Sequence, residues 1–145
     1  MKEIADEIRA IITDNSGPLL LMPEEVVSNK PGPDKWSKKE ILGHLIDSAA
    51  NNHQRFVRAG YNAAADFPAY SQNDWVRIQK YFESEWKDLI ALWSAYNLHL
   101  SHIIEHLPEE ALSSACNIGK EEPVSLEYVI KDYLRHLRHH MAVLL

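Results

Sequence analysis

The clearest helix start in the chain is Trp36-Ser37-Lys38-Lys39-Glu40-Ile41, in a protein of 145 residues. Ser37 can accept a hydrogen bond from the backbone of Glu40, whose side chain can bond back to the backbone of Ser37; together these form a capping box. Trp36 and Ile41 occupy the positions of a hydrophobic staple. The stretch therefore predicts a helix from residue 38 to about residue 59, ending near Gly60.

Three further helices are predicted by similar signals. The first covers about 2–15, and Asn15-Ser16-Gly17-Pro18 either ends or kinks it. Another follows the cap Ser71 and covers about 72–107, although a helix of this length can break near Ser84. The last follows the cap Ser125 and covers about 126–145. The 72–107 helix keeps one apolar phase through Trp75, Ile78, Phe82, Trp86, Leu89, Trp93, Leu100, Ile103 and Leu107.

These four amphipathic helices define the expected fold. No segment alternates with period two for long enough to predict a strand. Neither an internal repeat nor a linker divides the chain, so we expect one domain over 1–145. The sequence thus predicts an all-α, four-helix bundle.

Composition restricts the partners and the location. The net charge of −6 argues against a nucleic-acid or anionic-membrane partner, since both favour a basic surface. No apolar run approaches the roughly 20 residues of a membrane span, and the acidic start of the chain does not resemble a signal peptide. A single cysteine, Cys116, excludes an intrachain disulfide and fits a reducing compartment. We therefore expect a cytoplasmic protein.

Histidines on the last predicted helix are the strongest sign of chemistry. Taking about 100° per residue, His140 lies about 60° and His136 about 100° from the centre of the apolar arc, on the same side. Because they are four residues apart, their rings are neighbours on one face. His139 lies roughly 160° away and is predicted to face solvent.

A third histidine can come from the helix over 38–59. His44 lies about 120° from the centre of the apolar arc of this helix, just beyond its edge. The helical wheel therefore permits His44 as a ligand without selecting it. Ser48, Asn51 and Arg55 continue along the same margin. Two histidines spaced H-x-x-x-H, joined by one from a facing helix, would bind a divalent ion and leave coordination positions open.

A competing metal cluster is His99, His102 and His106, whose spacing is also suited to a metal. These residues lie about 100–160° from the apolar centre of their helix. Three ligands from one exposed helix would leave the ion without a shaped cavity, so we interpret them as solvated. His53 is interpreted as a core histidine, and Asp47 and Asp74 as capping or surface groups. Asp132 is interpreted in the same way, with the alternative that, one turn before His136, it could orient a ligand.

The sequence resembles the DinB/YfiT-like superfamily of metal-binding four-helix bundles. One matching stretch is Pro31-Gly32-Pro33-Asp34-Lys35-Trp36-Ser37, leading into Glu40-Ile41-Leu42-Gly43-His44-Leu45-Ile46-Asp47-Ser48. The other is Asp132-Tyr133-Leu134-Arg135-His136-Leu137-Arg138-His139-His140. The resemblance places the metal ligands on His44, His136 and His140. It also implies nickel, zinc or a similar divalent ion, and a homodimer.

The resemblance implies two activities on small molecules, namely metal-dependent hydrolysis or transfer of a low-molecular-weight thiol to an electrophile. Asn51 and Arg55 would then hold an anionic substrate group. The sequence shows no general base, which favours thiol transfer. The alternative, from another class, is a non-catalytic metal-binding or stress-associated bundle, so whether the protein is an enzyme is left open by the sequence.

Overall fold

A computed structural model describes the whole chain, residues 1–145. Its helices are α1 (Lys2–Leu20), α2 (Glu24–Val27), α3 (Lys38–Tyr61), α4 (Gln72–Gln79), α5 (Trp86–His106) and α6 (Leu126–Leu144). Short 3-10 helices cover Tyr81–Glu83 and Glu109–Ser113. Three strands complete the fold: β1 (Ala64–Asp66), β2 (Ala115–Asn117) and β3 (Val124–Ser125). None of the helices combines the length and apolar character that a membrane span requires.

The four long helices form a bundle around one core. Helix α5 packs against both α1 and α3, while α6 packs against α3 and touches α1. Trp93 and Phe56 are the largest of the fully buried side chains in this core. The all-α, four-helix bundle predicted from the apolar periodicity is therefore confirmed.

The predicted capping box is present at the start of α3. The backbone N–H of Ser37 donates to Glu40 Oε2 at 2.8 Å, and Ser37 Oγ accepts from the backbone N–H of Glu40 at 3.3 Å. Ser71 and Ser125 likewise cap α4 and α6. These caps fix where α3 and α6 begin, and hence the phase in which they present their histidines.

One predicted helix end is wrong, and the break expected in another helix is present. Helix α1 continues through Pro18 to Leu20 instead of ending at residue 15. Pro18 lies in the last turn, so the hydrogen bond that it removes affects only the end of the helix, and Leu19 is fully buried with its carbonyl accepting from Trp86 Nε1 at 2.7 Å. The predicted 72–107 helix is divided into α4, a 3-10 turn and α5, close to the expected break near Ser84.

The predicted apolar phase also fails before that break. Trp75 is 36% exposed and Ile78 67% exposed, whereas Val76 and Tyr81 are buried. The backbone turns at Lys80, which has a left-handed φ of 51°. This turn interrupts the helix, so the apolar positions of α4 do not continue the periodicity of α5.

A small sheet, which the sequence did not predict, ties two loops together. β1 pairs parallel to β2, and β2 pairs antiparallel to β3. The strands are two or three residues long, which is too short for a period-two pattern to be recognised. The loops that leave this sheet carry Tyr70 and Ile118, and both line the cavity described below.

Replacing Gly43 in α3 by alanine will destabilise the fold by about 1–3 kcal/mol, the usual cost of overpacking. The Tyr81 ring lies directly against Gly43, so an added Cβ would overlap it. Urea denaturation measures the free energy of unfolding. The control is Gly17→Ala, because Gly17 is also helical and, apart from its chain neighbours, has nothing within 4 Å of the added Cβ. That change should alter stability by less than about 1 kcal/mol, because the gain in helix propensity is opposed by the contact of a helical Cβ with the ring of Pro18. Equal effects at both positions would contradict the packing explanation.

Candidate metal centre

Three histidines from two helices converge at one point of the bundle. Nε2 of His44 lies 3.0 Å from Nε2 of His136. One ring nitrogen from each of His44, His136 and His140 can be chosen so that all three lie within 4.8 Å of one another. The structure thus brings together the three residues that the resemblance implied as ligands.

Local sequence explains this convergence. His136 and His140 are one turn apart on α6, with ring centroids 4.5 Å apart, and α6 packs against the face of α3 that carries His44. His44 is only 1% exposed, although the helical wheel placed it beyond the apolar arc. The Trp36 ring covers it, with the two ring centroids 5.0 Å apart. His136 and His140 remain half-buried.

No protein group outside the cluster occupies its inward nitrogens, because Nε2 of His44 and Nε2 of His136 lie within hydrogen-bond distance of each other only. Ser48 Oγ lies 3.4 Å from Nδ1 of His136, which keeps Nε2 of that ring directed at His44. Nδ1 of His44 is buried and has no hydrogen-bond partner. Three imidazoles at one point are a donor set that suits zinc, nickel or a similar divalent ion. The residues present therefore fit a metal site.

The electrostatics favour the form of histidine that binds metal. Burial, followed by the neighbouring His136 and His140, lowers the pKa of His44 to about 3. Burial and His136 lower the pKa of His140 to about 4. Burial also lowers the pKa of His136, although Asp132 acts in the opposite direction. All three rings are therefore neutral at pH 7, which is the state required for coordination.

A small internal cavity of about 200 Å³ adjoins the cluster. His44 and His136 form part of its wall. Arg55 also lines it and has no carboxylate partner; its only side-chain hydrogen bond is to Asn52 Oδ1 at 3.3 Å. The remaining lining residues are Ser48, Asn52, Tyr70, Gln72, Ile118, Val129, Asp132 and Tyr133. We call this space the inner cavity.

The two predicted substrate residues are placed differently. Arg55 reaches the inner cavity, whereas Asn51 is not among the residues that line it. Instead, Asn51 Nδ2 donates to the backbone carbonyl of Asp47 at 2.9 Å. The amide in the cavity wall belongs to Asn52, one position further along α3.

The other histidines lie outside the cluster. His99, His102, His106 and His139 are exposed, as their helical positions predicted. His53 is half-buried, and its Nδ1 lies 3.2 Å from the hydroxyl of Tyr96. The competing set on α5 therefore lies at the surface.

Two carboxylates differ from their predicted roles. Asp47 is not a surface or capping group: it is 2% exposed, and its Oδ1 accepts hydrogen bonds from Tyr81 Oη and Gln79 Nε2, both at 2.6 Å. Burial raises the pKa of this carboxyl, and its Oδ2 has no partner. Asp132 lines the inner cavity but accepts from Arg135, so the hydroxyl beside the His136 ring belongs to Ser48.

A four-helix bundle with three converging histidines beside a cavity defines a class of candidate metal-binding bundles. The sequence pattern of the DinB superfamily matches residues 17–144, which is most of the chain. The chain belongs to the DinB superfamily, so the resemblance seen in the sequence is confirmed.

A solved structure with the same fold is YfiT from Bacillus subtilis, described as a probable metal-dependent hydrolase with an unusual four-helix bundle topology. The two structures superpose with a TM-score of 0.78 at 18% sequence identity, and the match covers 97% of this chain and 79% of that chain. At this identity the likeness shows the fold alone. A search of curated proteins finds no match to the chain.

Proposed function

We propose that this protein is a metal-dependent enzyme that acts on a small molecule, with one divalent ion held by His44, His136 and His140. The observation that carries the proposal is the convergence of three imidazoles beside a cavity that contains an arginine with no carboxylate partner. The description of YfiT as a probable metal-dependent hydrolase supports it. Nickel and zinc are among the divalent ions that imidazole nitrogens bind well.

The inner cavity suits an anionic group of the substrate. The guanidinium of Arg55 is half-buried and makes no salt bridge; the Asp132 carboxylate lines the same cavity and acts on it only from beyond hydrogen-bond distance, so an anionic group beside Arg55 would gain a charge-assisted hydrogen bond. Asn52 takes the amide position that the sequence assigned to Asn51. A carboxylate or phosphate beside Arg55 would hold the substrate against the histidines.

The choice between hydrolysis and thiol transfer depends on the nucleophile. A divalent ion would lower the pKa of a coordinated water or thiol and so supply the nucleophile at neutral pH. Neither nearby carboxylate is free to act as a base, because Asp132 accepts from Arg135 and Asp47 is bonded to Tyr81 and Gln79. A thiol bound to the ion needs less help from a base than water does, so we favour transfer of a low-molecular-weight thiol over hydrolysis.

The test is a screen of small electrophiles and esters on metal-reconstituted protein, with and without an added low-molecular-weight thiol. Turnover that needs both metal and thiol would support transfer, and turnover with metal alone would support hydrolysis. Stoichiometric metal with no turnover in either arm would support the alternative, a non-catalytic metal-binding bundle.

Replacing Arg55 by glutamine should raise KM for an anionic substrate at least about tenfold, because a hydrogen bond to a charged group is worth about 1.5–3 kcal/mol. The metal content should stay unchanged. Steady-state kinetics on the substrate found by the screen measures the effect. The matched control is Arg58→Gln, since Arg58 is exposed on the same helix and lies outside the inner cavity. An unchanged KM in the Arg55 variant would remove the anionic subsite.

We also propose a cytoplasmic homodimer. The support for the dimer is the exposed apolar surface of α4, where Trp75 and Ile78 lie at the surface. Light scattering at tens of micromolar should give twice the chain mass, and Ile78→Glu should lower it towards the monomer. A wild-type protein that is monomeric at this concentration would contradict the proposal.

A further inference from the structure

We infer that a second space, on the His140 side of the histidine cluster, binds an apolar part of the substrate. This outer groove has a volume of about 480 Å³, and its walls include Trp36, Ile41, Val143 and His140. The inference deepens the proposed function and rests on it, because it assigns a substrate class to the same centre.

The histidines lie between two spaces of different chemistry. His44 and His136 line the inner cavity, while His140 lines the outer groove. The Trp36 indole packs on His44 and also forms a wall of the groove, so the groove reaches the cluster directly. A molecule bound at the cluster can therefore extend to both sides.

The two spaces divide polar from apolar chemistry. The inner cavity contains Arg55, whereas the aliphatic and aromatic walls of the groove come from Trp36, Ile41 and Val143. Val143 is 53% exposed, and apolar surface beside a reactive centre gains free energy when a ligand covers it. The charged residues Asp34 and Lys35 also line the groove. The substrate class is thus one that brings an anionic part and an alkyl or aryl part to the same centre, either within one molecule or, in thiol transfer, on the thiol and the electrophile.

The dimensions favour a small molecule as the occupant. Ligand pockets measure about 300–1,000 Å³, a range that includes the groove, whereas a protein partner needs a contact of about 800 Å² on each side. The anionic part and the alkyl or aryl part can belong to one substrate. In thiol transfer they belong to two, with the apolar group on the electrophile.

A chain-length series of carboxylates tests the groove. Acetate, butyrate and hexanoate are titrated into ¹⁵N-labelled protein with and without added zinc, and binding is followed at the indole N–H of Trp36, assigned with Trp36→Phe. Each methylene that is buried should tighten binding about three- to fourfold, so hexanoate should bind at least about tenfold more tightly than acetate. Val143→Gln should reduce that ratio at least about threefold. Val57→Gln is the control, since Val57 is also exposed and lies outside the groove.

The outcomes separate the two proposals. Equal affinities along the series, or a hexanoate-to-acetate affinity ratio in Val143→Gln that equals the wild-type ratio, would overturn the groove while leaving a metal-binding protein intact. A protein that takes up no zinc would overturn the proposed function. The dependence of affinity on chain length, measured at the Trp36 indole N–H without zinc, would still show whether the groove binds apolar groups.

Discussion

Replacing His44, His136 or His140 by alanine will abolish tight metal binding, whereas replacing His139 or His102 will leave one ion per chain. Removing a residue that only hydrogen-bonds to a metal ligand lowers metal affinity about 10–100-fold. Removing one of the three ligands themselves should therefore lower metal affinity more than about a hundredfold. His140 is the decisive position. It is half-buried, so its loss should disturb the core less than the loss of the fully buried His44.

Elemental analysis after dialysis, with calorimetric titration of zinc, measures this effect. The His139→Ala control is well matched, because His139 is the neighbour of His140 on α6 and is exposed. Circular dichroism confirms that each variant is folded. Stoichiometric, tight metal in His140→Ala would show that a different set of ligands holds the ion.

The structural features that depend on residues close together in the sequence could be predicted from the sequence. The caps at Ser37, Ser71 and Ser125 involve atoms within three residues of one another, so the starts of α3, α4 and α6 could be deduced from sequence. The pairing of His136 with His140 follows from helical periodicity in the same way. His44 needed the family resemblance, because the packing of Trp36 and α6 against it is not visible in the periodicity of α3.

The features that were missed depend on contacts distant in sequence. Asp47 is buried because Tyr81, 34 residues later, donates to it while its ring lies against Gly43. A carboxylate on the margin of an amphipathic helix gives no sign of such a partner. The exposure of Trp75 has a similar origin, since the turn at Lys80 changes the phase between α4 and α5. Asn52 lines the inner cavity, whereas its neighbour Asn51 does not. A helical wheel gives the side of a helix that a cavity adjoins, but it does not distinguish between these two adjacent positions.

Acid will destabilise the metal-free protein through its buried histidines. The folded-state pKa of His44 is about 3 and that of His140 about 4, below the value of about 6.5 expected when the chain is unfolded. The unfolded chain therefore binds more protons below pH 6.5, and stability is lost as the pH falls from 6.5 towards 4. At pH 5 each of these histidines should have lowered the free energy of unfolding by up to about 2 kcal/mol. Together they remove a large part of the 5–15 kcal/mol of a typical domain.

Urea denaturation in EDTA at pH 7.5 and pH 5 measures this loss. His140→Gln should lose up to about 2 kcal/mol less than wild type over that interval, because glutamine does not titrate. His139→Gln should lose as much as wild type, since His139 is exposed. Histidines with ordinary pKa values would release a bound ion between about pH 6.5 and 5, and the lowered values move that release below pH 5. If His140→Gln and His139→Gln lose the same stability, the His140 ring is not held neutral by the fold, and protons would compete with the metal already near pH 6.5.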